Sequence, residues 1–258
     1  DVLAVNDAAV IGGDIVANLV ETNAVLSTSG NLTVSDIDSP ATFVAQTQTA
    51  GSKGYGKFSL SANGAWTYTT NTALNELVAG QNYTDSFTAK AADGTSQLVT
   101  VTITGSNEAP VLNASAVVTL PSVVKDTWAP TSALAGQAVS DLFGLITDAD
   151  STDPKGIVVA AVNGNGTLYY STNNGSTWQA ASGIDNGLEL HLDGDSRVFF
   201  RPLAGWTGTA DDAFLYRAWD QSNGVPVGSI SLVERFGADS AYSTAWSKVG
   251  VTVTAPDT

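Results

Sequence analysis

The chain has 258 residues, 43% of them hydrophobic, enough for two ordinary domains that each bury a core. Ten Lys and Arg stand against 25 Asp and Glu, and the net charge of −15 repels nucleic acid and anionic membranes, which excludes both as partners. With no Cys there are no disulfides, thiolate metal sites or cysteine nucleophile, and no run nears the ~18 apolar residues of a membrane span, so no membrane insertion is expected.

The lack of Met, with Asp at position 1, is what a piece of a longer chain would show, with targeting signals elsewhere. Missing Cys does not imply cytoplasm, since a secreted protein can be stapled by calcium instead.

Helical periodicity is nearly absent, and Thr, Val, Ser, Gly and Asn are abundant. Phe58-Ser59-Leu60 leads through Asn63-Gly64 to Trp66-Thr67-Tyr68-Thr69, and Asn-Gly between alternating runs predicts a hairpin. A short helical turn is expected at Thr72 to Leu77, where Leu74 and Leu77 share a face. Phe87 to Lys90, Asp93-Gly94 and Leu98 to Ile103 predict a second hairpin. This is an antiparallel sandwich pattern.

The second half repeats the style on a larger scale. Ile157 to Val162 is an apolar strand. Leu168 to Ser171 turns through Asn174-Gly175 towards Trp178. Leu188, Leu190 and Leu192 alternate with Glu189 and His191, a half-buried strand. Arg197 to Arg201 precedes Pro202, Phe214 to Trp219 runs into a turn at Asp220 to Gly224, and Val249 to Thr254 closes the domain. This unit exceeds a minimal sandwich module of about 100 residues. Insertions are expected at Pro121 to Ala138 and Val225 to Ser243, where long loops would carry binding.

Two joints read almost alike: Val5-Asn6-Asp7-Ala8-Ala9 and Ser106-Asn107-Glu108-Ala109-Pro110, about a hundred residues apart. A repeated acidic joint at that spacing indicates serial β-modules, and carboxylates at such joints suit calcium.

The residues Gly56 to Leu60, Gly64 to Tyr68, Asp85 to Thr88, Asp93 to Ser96 and Val101 to Pro110 together resemble the VCBS repeat, the Ig-like module of giant bacterial RTX adhesins exported by type I secretion. Its joint usually reads Asn-Asp-Ala-Pro, whereas this chain has Asn107-Glu108-Ala109-Pro110. Gly166 to Trp178, Phe199 to Pro202, Tyr216 to Gln221 and Asp239 to Ser243 are similar to a cadherin-like repeat. The glycine-rich nonapeptide of RTX β-rolls is absent. The expected fold is therefore all-β, two tandem Ig-like or cadherin-like antiparallel β-sandwiches, at residues 1–107 and 108–258.

Asp36-Ile37-Asp38 places two carboxylates on one side of an extended segment. With Glu21, Asp85 and Asp7 of the first joint, they are expected to supply oxygens to Ca²⁺, which takes six to eight. Asp148-Ala149-Asp150 holds the corresponding place in the second module. Asp153 and Asp220 would join it, with Asn107 and Glu108 binding from the linker. Asp193/Asp195 and Asp211/Asp212 are further pairs, equally well explained by turn chemistry. None forms an EF-hand loop.

His191, the one histidine, sits on an alternating strand with no nucleophile motif, and reads as an ordinary strand residue. No carboxylate pair is singled out for hydrolysis, so no enzyme is expected. Five of the six Trp lie in the second module. Trp178 and Trp219 fit core packing, while Trp128, Trp206 and Trp246, with Arg235, are candidates for a ligand surface.

The resemblance implies calcium-binding modules of a giant adhesin, secreted and held at the bacterial cell surface. Ca²⁺ would stiffen the chain for adhesion and biofilm formation. The module would be monomeric, with neighbouring modules of the same chain as partners. As alternatives, the second module binds a host peptide C-terminus or a glycan, or both modules are spacers without a ligand.

Overall fold

The computed structural model describes residues 5–132, 135–150 and 154–256. The chain divides into two compact units between Ser106 and Asn107. Both are built almost wholly of β-strands. Among the described residues no helix is long and apolar enough to cross a membrane.

Among its described residues the first unit has eight strands: β1 (Val10–Gly13), β2 (Val16–Val20), β3 (Ser27–Ser35), β4 (Gln46–Ala50), β5 (Gly56–Leu60), β6 (Ala65–Thr70), β7 (Asn82–Lys90) and β8 (Ser96–Thr104). A five-stranded sheet, β1-β3-β6-β5-β4, packs on a three-stranded one, β2-β8-β7. Alternation sets the inward faces. Trp66, Tyr68 and Thr70 of β6 are buried between exposed neighbours, and Val99, Val101 and Ile103 of β8 between less buried ones. Phe58 is the hub, with ring centroids 4.4 Å from Tyr68 and 4.5 Å from Phe87.

Both hairpins form as the turn residues predict. Leu60 pairs with Trp66 around Asn63-Gly64, and Lys90 pairs with Ser96 around Asp93-Gly94. Gly64 has φ 94°, and a Cβ there would lie 2.1 Å from the Leu32 carbonyl oxygen, so only glycine fits. Thr72 to Leu77 is a bonded turn rather than a helix. Leu77 N–H donates to Leu74 O at 3.0 Å, and both leucines reach the core. The first and last long segments close the unit: β2 pairs in parallel with β8, from Val16↔Thr100 to Val20↔Thr104.

The second unit contains β9 (Val111–Leu112), β10 (Val118–Thr119), β11 (Val123–Val124), β12 (Gln137–Ala138), a 3-10 helix (Val139–Leu145), β13 (Ile146–Thr147), β14 (Gly156–Val162), β15 (Gly166–Ser171), β16 (Gln179–Ala180), β17 (Leu188–Asp193), β18 (Arg197–Pro202), β19 (Gly208–Trp219), β20 (Ile230–Leu232) and β21 (Tyr242–Thr254). The larger sheet runs β10-β21-β19-β14-β17-β20, with β11 also on β21. The smaller is β12-β18-β15-β16. Ile157, Leu190, Phe214 and Val251 of the first meet Leu168, Val198 and Phe200 of the second.

The two expected insertions are not open loops. Residues 121–138 lend β11 to β21 and β12 to β18. Residues 225–243 lend β20 to β17 and fold over the outer face of the larger sheet. There Val225, Val227, Val233, Ala241 and Tyr242 pack with Val158 and Trp219. That cover explains why β14 reads as a continuous apolar run, since Gly156 to Val159 are buried on both faces. It also corrects the reading of β17 as half-buried: Glu189 and His191, which would face water on a bare sheet, are buried.

Replacing Phe58 with Ala should lower the stability of the first unit by about 3–5 kcal/mol, the usual cost of emptying a large aromatic site. A guanidinium titration followed by circular dichroism measures it.

Candidate functional site

The acids at the start of each unit are wired in the same way. In the first unit, Asn6 Nδ2 donates to Asp7 O at 3.1 Å, and Asp7 N–H to Asp38 Oδ2 at 3.0 Å. Asp38 N–H donates to Asp36 Oδ1 at 3.0 Å, and Thr95 N–H to Asp93 Oδ1 at 2.9 Å. In the second, Asn107 Nδ2 donates to Glu108 O at 3.2 Å, and Glu108 N–H to Asp150 Oδ2 at 2.7 Å. Asp150 N–H donates to Asp148 Oδ1 at 3.0 Å, and Ser222 N–H to Asp220 Oδ1 at 2.8 Å. In the second unit the asparagine also bonds the third acid, with Asn107 Nδ2 donating to Asp220 Oδ2 at 3.0 Å.

One difference follows from a single residue. Ala9 N–H donates to Asp93 Oδ2 at 2.9 Å, but the matching position in the second unit is Pro110, which has no N–H. The burial also differs. Asp38 is exposed, and Asp36 and Asp93 are half-buried, whereas Glu108, Asp150 and Asp220 are buried.

Hydrogen bonds set the charge state in the first unit. The N–H groups of Asp38 and Ser39 favour the ionised Asp36 and hold its pKa below the usual carboxylate value. Thr95, chiefly through its hydroxyl, and Ala9 hold Asp93 down to about 2. Some oxygens are left over. Asp36 Oδ2 and Asn107 Oδ1 are buried and accept no hydrogen bond. Among the described residues, no three His, Asp or Glu side chains converge as a cage for a metal. Many of the carboxylate oxygens are turned onto N–H groups of their own turns.

The four acids expected together, Glu21, Asp36, Asp38 and Asp85, do not gather. Glu21 follows β2 beside Thr104, at the far end of β8 from the Asp93 turn. There Ser106 Oγ donates to its Oε2 at 2.5 Å, while Oε1 is buried without a partner. Asp85 is fully buried and accepts from Lys53 N at 2.9 Å, Gly56 N at 3.1 Å and Tyr68 Oη at 3.2 Å. It pins the 51–56 loop to β7 rather than facing an end. Tyr68 is pushed well above its ordinary pKa, first by burial and then by the Asp85 charge. Asp93, not Asp85, holds the place of Asp220. A local signal marks it: each acid follows the strand that pairs with the closing strand of its unit.

Asp153 lies outside the described residues. Asp193 caps a turn, accepting from Ser196 Oγ at 2.7 Å, and Asp195 accepts from Asn174 through its backbone. Both lie at the Trp219 end of the sheet, where Asp193, Gly156 and Trp219 form one row. Asp211 and Asp212 occupy a bulge in β19, with Asn163 Nδ2 on Asp212 at 2.7 Å.

Of the ligand candidates, Trp128 is 80% exposed and Trp246 partly exposed on β21, but Trp206 packs against the core. Arg235 is tied to Asp239 at 2.7 Å. Trp219 is buried as expected, and Trp178 is only half-buried. His191 Nε2 lies 2.8 Å from Tyr242 Oη with Trp219 edge-on, a packed strand residue whose pKa burial lowers. Glu189, beside Arg217 at 3.7 Å, is pushed up by burial to about 7.

Residues 6–105 match the family model of the bacterial cadherin-like domain. That match spans most of the first unit. The second unit lies outside that match. No curated protein matches the chain. Among solved structures, the chain is similar to domains 1–2 of human mucin-like protocadherin, at 12% identity over 96% of this chain and 99% of that one, with a TM-score of 0.42. It is also similar to domains 22–24 of mouse cadherin-23, at 16% identity over 96% and 65%, with a TM-score of 0.46.

Asp85→Ala should cost at least about 3 kcal/mol, because several buried donors lose their acceptor together. Urea titrations with and without calcium should show the same loss. Asp93 has a depressed pKa, so its contribution is complete above 3.8 and is lost as pH falls towards about 2. Melting temperatures of the wild type and Asp93→Asn should therefore converge through that window.

Proposed function

We propose that the chain is a pair of calcium-binding modules from a large secreted bacterial adhesin, of the VCBS/RTX kind, in which Ca²⁺ stiffens the chain at the cell surface. The observation that carries this reading is the wiring repeated between Asn6, Asp7, Asp36, Asp38 and Asp93 and Asn107, Glu108, Asp148, Asp150 and Asp220. Turn chemistry alone explains one Asp-x-Asp. It does not explain a joint residue, an Asp-x-Asp and a third acid meeting in the same order twice.

The residues fit a hard cation. Every donor is an oxygen, as Ca²⁺ prefers, and Asp36 Oδ2 and Asn107 Oδ1 are buried oxygens without partners. Glu21, with Oε1 in the same condition, would serve at the opposite end of the first unit. Asp153 would add to the second set. Bound Ca²⁺ would cancel the repulsion between clustered acids. The work is mechanical, and neighbouring modules of the parent chain are the first partners. The exposed Trp128 favours a ligand-binding role for the second unit beyond that of a spacer.

Thermal melts in EDTA and in millimolar CaCl₂ test the reading. Calcium at about a hundred times its Kd should add about 2.7 kcal/mol, a rise of several degrees. Asp36→Asn and Asp220→Asn should each shrink that rise while leaving the EDTA melt nearly unchanged. An identical melt in both buffers overturns the proposal.

A further inference from the structure

All four arginines lie in the second unit, on a chain with 25 acids available to pair with them. Three are engaged. Arg197 donates to the carbonyls of Ala135 at 3.1 Å and Gly136 at 2.9 Å. Arg217 donates to Thr244 O at 2.7 Å beside Glu189, and Arg235 pairs with Asp239. Arg201 differs. Among the described residues its guanidinium donates no hydrogen bond, and its Cζ sits 5.8 Å from the ring centroid of Trp128. A planar donor fork without an acceptor, on so acidic a chain, is matched to an acceptor from outside.

These two side chains line a cleft of about 170 Å³ with Asp126, Thr127, Pro202 and Ala204. Its wall is fastened in place. Asp126 holds a left-handed φ of 62°, and its Oδ1 accepts from Gly205 N at 2.7 Å. Thr127 Oγ1 donates to Val124 O at 2.5 Å, so the segment is tied to β11 immediately before Trp128. Asp126 Oδ2 accepts nothing from the described residues. The cleft thus offers an indole face, a free guanidinium fork and a spare carboxylate oxygen.

We propose that this cleft binds a sugar ring bearing a carboxylate, such as the acidic end of a glycan. The C–H face of the ring would stack on Trp128, its carboxylate would take the Arg201 fork, and a hydroxyl would donate to Asp126 Oδ2. A peptide C-terminus brings the carboxylate but not the polyol, and the cleft has no deep apolar well for a side chain. The site is built without the acids proposed to hold calcium, so the two proposals fail separately.

Saturation-transfer NMR on the full chain tests it, with methyl β-D-glucuronide, methyl β-D-glucoside and an N-acetyl dipeptide acid as probes, each in calcium and in EDTA. The glucuronide should bind in both buffers, with the glucoside about tenfold weaker. Trp128→Ala and Arg201→Gln should each weaken the glucuronide at least about tenfold, and Arg201→Lys less, with melting temperatures unchanged. Absence of glucuronide binding, binding indifferent to both substitutions, stronger binding of the dipeptide acid, or binding lost in EDTA while the protein stays folded would each overturn the proposal.

Discussion

A carboxylate withdrawn from water must be answered by donors or by a cation. Much of this molecule follows from how each acid meets that demand. Asp85 is answered in full, by backbone N–H groups of the 51–56 loop and a tyrosine hydroxyl, and it is part of the core. Asp36 is answered on one oxygen only, by the turn it belongs to, and its other oxygen is buried and unused. Glu21 divides in the same way between Ser106 and nothing. Acids of similar chemistry thus separate into those that finish the fold and those left with oxygens to spare.

The second unit solves a different problem with its extra length. Segment 225–243 does not extend into solvent but lies on the outer face of the larger sheet, making a second small core around Trp219 and Tyr242. That cover traps Glu189 and His191, which the sheet alone would have left wet. Burial then acts on them in opposite senses, raising the carboxyl and lowering the imidazole, because in each case it disfavours the charged form.

The strands were legible because period-two alternation and Asn-Gly or Asp-Gly turns are local signals. Phe58 to Thr69 and Phe87 to Ile103 fold as those residues indicate. The site was legible only in part. Asp36-Ile37-Asp38 and the joints stand out in the chain, but alternation reports which face a residue takes, not which end of a sandwich it reaches. For that reason alternation does not separate Glu21 and Asp85 from Asp36 and Asp38. Asp93 reads as a hairpin residue, which it also is, and its second role depends on Ala9, far away in sequence. The burial of His191 could not be read locally, because the covering segment arrives some forty residues later.

The parallel pairing of β2 with β8 has a consequence for a chain pulled from both ends. Tension drawn towards the N-terminus along β2 and towards the C-terminus along β8 slides the two strands past each other. Their hydrogen bonds are then loaded together in shear instead of being unzipped one at a time. The second unit repeats the device, with β10 and β11 both parallel to the closing strand β21. Resistance to extension is therefore a property of the hydrogen-bond ladder itself, governed by the unfolding rate under load rather than by equilibrium stability.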